Sequence, residues 1–193
     1  KLDFVIACGG SDIIYCAKAI AASSGYNKDP WTLFKSQKAV QKTLPVVTIP
    51  TTIATGTEIN DMAIIHDRIN RETISIRQET LKPRLSFINP AYTTNLPESI
   101  AASGIAEVFA RILERYLSVQ RSYFVQDSIS ESLMKTCISF GPLALKEPDN
   151  IEARANLMWA SILSLDGFIA GNEDTHWPVL DIEYELYSLF QTN

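Results

Sequence analysis

The chain has 193 residues, of which 46% are hydrophobic and 20% charged, enough to bury one sizeable core and to divide into two small domains. With 17 Lys and Arg against 22 Asp and Glu the net charge is −5, and the basic residues are scattered, which argues against nucleic acid as a partner. Cys8, Cys16 and Cys137 sit in apolar runs without metal-type spacing; the odd number excludes a disulfide framework and predicts reduced, buried thiols. No stretch reaches the roughly 18 consecutive apolar residues of a membrane span, and the opening residues lack the pattern of a secretory signal. A soluble, cytoplasmic protein without membrane contact is expected.

Residues 4–7 form a short apolar run ended by Cys8-Gly9-Gly10-Ser11-Asp12, after which Ile13, Ala17, Ile20 and Ala21 recur at helical spacing. The pattern predicts a buried strand, a tight glycine turn and a helix. Val46 to Ile49 reads as a second strand between Pro45 and Pro50, followed by a polar loop from Thr51 to Glu58. Met62 to His66 and Thr73 to Ile76 flank a charged turn, as in a β-hairpin, and Leu85 to Ile88 adds another strand.

Beyond Pro97 the period becomes helical. Ile105, Val108, Phe109, Ile112, Leu113 and Tyr116 fall on one stripe of a helix from about Glu98 to Leu117. A second helix is predicted from Ser128 to Phe140, closed by Gly141-Pro142. Asp149 with Glu152 resembles a capping pair opening a third, to about Gly167, and Val179 to Phe190 reads as a fourth. The fold class is therefore α/β plus all-α: a partial Rossmann-like nucleotide-binding layer over 1–90 and a helical domain over 91–193.

Gly9-Gly10 between a strand and a helix brings backbone N–H groups and a helix N-terminus up to a phosphate, though such turns need glycine for geometry as well. Asp12 in the first turn satisfies the helix dipole itself and repels a pyrophosphate. The threonine loop offers hydroxyls and amides at the carboxyl end of a strand, where ligands of open α/β sheets sit; the alternative is an ordinary turn with locally capping hydroxyls.

The segment from Gly9 to Ile20 resembles the "GGGSxID-x-AKAIA" stretch of the iron-containing alcohol dehydrogenase family, in particular its butanol dehydrogenase branch. Residues 50–60 are similar to that family's "PTTxATGSE" loop, Asn89 to Pro97 to its "DPxxTxxLP", Gly104 to Tyr116 to "GxxDxxxHxxExY", and Asn156 to Ser161 to "NxMWA". The resemblance implies the dehydroquinate synthase-like fold of that family, here incomplete at both ends. It also implies NAD or NADP as cofactor, a divalent iron or zinc held by one Asp and three His, and a small-molecule alcohol or aldehyde as substrate. The residues it assigns to the cofactor are Gly9, Gly10, Thr51, Thr52 and Thr55.

The chain departs from this pattern where the metal is held. Glu107 stands at the Asp position and is the one metal ligand left; Arg111 stands at a His position, and a guanidinium has no lone pair to donate. Aligned on Trp177, two further His positions are Leu180 and Tyr184, with His176 out of register. In the glycine turn Ser11, Asp12 and Tyr15 replace Gly, Ser and Asp, and Thr57 replaces Ser. Glu107 and Arg111, placed by the helical wheel opposite the apolar stripe, read either as an exposed i,i+4 ion pair of about 0.3–0.5 kcal/mol or as an internal replacement for the metal's charge. The resemblance thus implies NAD(P)-dependent oxidoreduction, while the substitutions argue against metal-dependent catalysis. The alternative is a non-catalytic homologue, or pseudoenzyme, serving as a nucleotide-binding, structural or regulatory subunit. An incomplete layer leaves edges uncovered, so a homo-oligomer or a partner chain is expected.

Overall fold

The computed structural model describes residues 2–36, 40, 42–53, 56–67, 70, 72–118, 123–165, 182, 186 and 189. The chain divides into two compact units, one of Lys1–Pro50, Thr57–Ile88 and Pro178–Asn193, the other of Thr51–Gly56 and Asn89–Trp177.

The first unit begins with β1 (Val5–Gly9), α1 (Ser11–Ser23), α2 (Pro30–Lys35) and β2 (Val46–Pro50). It continues with the hairpin β3 (Met62–Asp67) and β4 (Glu72–Arg77) and ends in β5 (Leu85–Ser86). β2 lies between β1 and β5 in an all-parallel sheet, with Val5 opposite Val46, Gly9 opposite Pro50, and Thr48 opposite Ser86. Parallel neighbours require a crossover, and α1 lies within the one joining β1 to β2. Its Ile14 and Ala17 close over Ala7 on one face of β1. Strand residues alternate faces, so Ile6 and Cys8 point the other way and are exposed. Cys16 shares the outward stripe of α1 with Ile13 and Ile20 and is exposed too. The expectation of buried thiols therefore holds for Cys137 alone; an apolar run in sequence does not reveal which face is covered.

The antiparallel hairpin pairs Met62 with Arg77 through Asp67 with Glu72. It packs Ala63 and Ile76 against Ala19 and Ala22 of α1, Leu33 and Phe34 of α2, and Leu81. The sequence reading missed α2, although its start is marked: Asp29 Oδ1 accepts from the Trp31 N–H at 3.1 Å and Pro30 fills the first helical position. β5 is two residues long rather than four, extended at its ends by the Arg84 N–H bond to the Val46 carbonyl and the Phe87 N–H bond to the Thr48 carbonyl.

The second unit is helical: α3 (Glu98–Ser118), α4 (Phe124–Lys146) and α5 (Ile151–Leu165). Ile53, Ile105, Val108, Ile112, Leu133, Cys137, Leu157 and Met158 form its core. α4 starts earlier than expected and runs through Gly141-Pro142 instead of stopping there. Pro142 lacks the N–H that would bond the Ile138 carbonyl, but Ile138 is exposed, while Ala144 beyond the proline is fully buried. Burial of that last turn outweighs one missing bond. α5 is capped by Asn150, whose Oδ1 accepts from the Ala153 N–H at 3.0 Å, not by an Asp149–Glu152 pair. Of the helix expected over 179–190, residues 182, 186 and 189 are described, each helical and exposed; the rest lies outside the described residues. Among the described residues no helix is long and apolar enough to cross a membrane.

Candidate functional site

The turn after β1 is shaped by Gly9, with φ at +156°. A Cβ there would lie 2.8 Å from Ile13 Cγ1, so the missing side chain lets α1 pack directly over the strand end. Gly10 is the N-cap of α1 and contributes no side-chain cap, so no cap side chain answers the first-turn N–H groups. A phosphate oxygen fits such donors. Asp12 is exposed and lines a mostly apolar cavity of about 660 Å³ with Cys16, Ile20, Trp31, Phe34 and Ile65.

Thr51 and Thr52 follow directly on β2 and are half-buried. Thr55 lies outside the described residues. Gly56 has φ +54°, the left-handed region that suits glycine. Beyond it the loop is tied to the sheet: the Thr48 hydroxyl donates to Ser86 Oγ at 2.7 Å, and Ser86 Oγ donates to the Glu58 carbonyl at 2.6 Å. Thr57, at the family's Ser position, is fully buried and its Oγ1 has no hydrogen-bond partner among the described residues.

Lys18 lies within the segment from Gly9 to Ile20 that resembles the family's glycine-turn stretch. Its side chain is fully buried and Nζ donates to Asn60 O at 2.8 Å, Asn60 Oδ1 at 2.7 Å and Met62 O at 3.0 Å. All three ammonium protons are used, which pins α1 to the start of β3. Burial pulls its pKa down to about 7, against Asp61 and Glu58, which raise it. The available signal was a lysine within the buried Ala17-to-Ala22 face of an otherwise apolar helix.

On α3, Arg111 follows Gly104 by seven residues and Val108 by three, so it flanks the buried stripe instead of opposing it. Its side chain is 7% exposed and that of Glu107 40%. Nη2 donates to Glu107 Oε1, while Nε and Nη1 are buried without a hydrogen-bond partner among the described residues. The exposed surface pair considered from sequence is thus corrected to a partly buried one. These residues do not fit a divalent metal: the guanidinium cannot ligate, and it engages the one carboxylate that could. Among the described residues no group of three His, Cys, Asp or Glu could hold a metal ion. Leu180, Tyr184 and His176 lie outside the described residues.

Comparison with known proteins places this geometry. Residues 1–90 match the family model "Iron-containing alcohol dehydrogenase". The chain is 36% identical to NADH-dependent butanol dehydrogenase B of Clostridium acetobutylicum, over 98% of this chain and 48% of that protein. It is 31% identical to the NADPH-dependent aldehyde reductase YqhD of Escherichia coli, over 98% of this chain and 50% of that protein. The crystal structure of NADH-dependent butanol dehydrogenase A from Thermotoga maritima superposes with a TM-score of 0.93 at 31% identity, covering 99% of this chain and 48% of that one. The chain spans about half the length of the curated relatives it matches.

Proposed function

The chain belongs to the iron-containing alcohol dehydrogenase family, and on that premise we propose that it forms the nicotinamide-binding and helical parts of an NAD(P)-dependent oxidoreductase of small-molecule alcohols or aldehydes. Residues 1–90 are the nucleotide-binding part and 91–193 the helical part in this reading. The observation that carries it is the turn into α1, where Gly9 admits Ile13 and Gly10 leaves the first-turn amides without a side-chain cap. Gly9 and Gly10 present backbone N–H groups to the dinucleotide phosphates, and Thr51, Thr52 and Thr55 are the other positions this reading assigns to the cofactor. The Thr48–Ser86–Glu58 chain holds the following loop segment at the strand ends. When bound, the nicotinamide supplies hydride transfer. One relative is named for NADH and another for NADPH, so both are substrates to test. Ile6, Leu85 and Phe87 leave apolar surface exposed in the first unit, which supports association with a second chain.

Arg111 favours a second reading, a non-catalytic homologue that binds nucleotide as a structural or regulatory subunit. Titration with NADH and NADPH, followed by thermal unfolding, tests both. Saturable binding that raises Tm with ligand concentration is expected, and failure of both nucleotides to shift Tm overturns the assignment. Reduction of a short-chain aldehyde by bound NADH selects the oxidoreductase; binding without turnover selects the second reading.

A further inference from the structure

We infer that Arg111 is a built-in cation that takes over, beside Glu107, the charge the family pattern assigns to a metal, so that the helical unit folds without a transition metal and depends instead on this ion pair. The inference rests on the family reading above, which makes 107 and 111 ligand positions, but it is carried by this chain's own geometry. A metal on either oxygen of Glu107 would sit against the permanent positive charge of the guanidinium whose Nη2 already donates to Oε1. The pairing is intrahelical, four residues apart on α3, so it forms whenever the helix does.

Nε and Nη1 raise the question whether the guanidinium instead awaits an anionic ligand. Both atoms are enclosed by protein, so an incoming oxygen does not reach them as they stand. Their unmet donors make the desolvated cation costly, and Glu107 is the one ion-pair partner it has among the described residues. The role of the pair is therefore charge compensation within the helical unit. Removing the carboxylate strands a cation that is 7% exposed, whereas removing the cation leaves a carboxylate that is 40% exposed.

The test uses the full chain. Elemental analysis and thermal unfolding are run as purified, with EDTA, and with added Fe²⁺ or Zn²⁺, and the NADH-induced shift is recorded in the same assay. We expect no stoichiometric metal and a Tm indifferent to chelator or metal; stoichiometric metal whose removal lowers Tm overturns the inference. Glu107→Gln is expected to lower Tm by about 5–10 °C in the native background, on the scale of losing one buried counter-charge, and to lower it clearly less in the Arg111→Met background. Equal lowering in both backgrounds also overturns it. If Glu107→Gln alone fails to fold while the double variant folds, the inference is supported; if neither folds, the metal measurement decides. An NADH shift that persists while the metal result goes against us leaves the nucleotide reading standing. Loss of the NADH shift with a metal-indifferent Tm does the reverse.

Discussion

Gly9 and Ile13 are in such close approach that a Cβ on Gly9 would stand 2.8 Å from Ile13 Cγ1 and 2.9 Å from Ile13 Cβ. Gly9→Ala must therefore push α1 off the end of β1 or force the backbone out of its φ of +156°. A loss of about 2–3 kcal/mol is expected in urea unfolding, together with weaker dinucleotide binding. Ile13→Ala, placed on top of Gly9→Ala, removes two of the three crowding atoms, Cγ1 at 2.8 Å and Cγ2 at 3.2 Å, and leaves the Cβ at 2.9 Å. The two costs should then sum to clearly less than their separate values, and strict additivity would show that the contact is not the cause.

What was legible in the sequence follows the range of the physics. β1, α1, β2 and the hairpin are announced by local apolar periodicity and by turn residues, and the structure has all four within a residue or two. The Gly9 turn was legible for the same reason. Arg111 and Lys18 were not, because their state depends on what covers them: the former flanks the stripe of α3, and the latter meets acceptors more than 40 residues away. The continuation of α4 through Pro142 is likewise tertiary, since burial of Ala144 overrides a local stop signal.

Lys18 predicts a pH dependence whose sign can be worked out. Its pKa is near 10.5 when unfolded and about 7 when folded, so between those values the unfolded chain binds the extra proton. Stability rises with pH there, by up to about 1.4 kcal/mol per unit. Cys137 acts in the opposite direction above pH 9, because burial raises its thiol to about 11 and the folded state then keeps the proton. The net expectation is a rise from pH 7 to 9 that levels off above. Chemical denaturation across this range measures it, and Lys18→Met should abolish the rise; an unchanged slope in that variant assigns the effect elsewhere.

The Thr48–Ser86–Glu58 chain predicts coupling. Ser86→Ala removes both the acceptor of the buried Thr48 hydroxyl and the donor to the Glu58 carbonyl, at an expected cost of about 1–2 kcal/mol. Thr48→Val should cost less once Ser86 is already Ala, since the hydroxyl it deletes no longer has its acceptor. A double-mutant cycle with coupling above about 0.5 kcal/mol bears this out.

Arg154 on α5 predicts the largest single loss in the helical unit. Its side chain is 1% exposed; Nε donates to the Pro148 carbonyl, and Nη1 reaches Thr93 Oγ1 at 3.4 Å, within the 3-10 turn Pro90–Thr93. Thr93, itself fully buried, donates its hydroxyl to the Pro90 carbonyl at 2.7 Å, so one guanidinium ties that turn to the start of α5. Burial lowers the pKa of Arg154 and Asp149 raises it, which leaves the group a cation throughout the physiological range. Truncation to Ala leaves the Pro148 carbonyl without its donor and opens a large cavity, and a loss of about 3–5 kcal/mol is expected. Arg154→Met refills most of the volume and should recover part of that loss. Arg154→Lys should recover less than its charge suggests, because a single ammonium cannot serve two acceptors spaced for a planar fork. Unfolding midpoints of the three variants order these contributions: Lys matching the native residue would mean that charge, and not the shape of the guanidinium, fixes the turn.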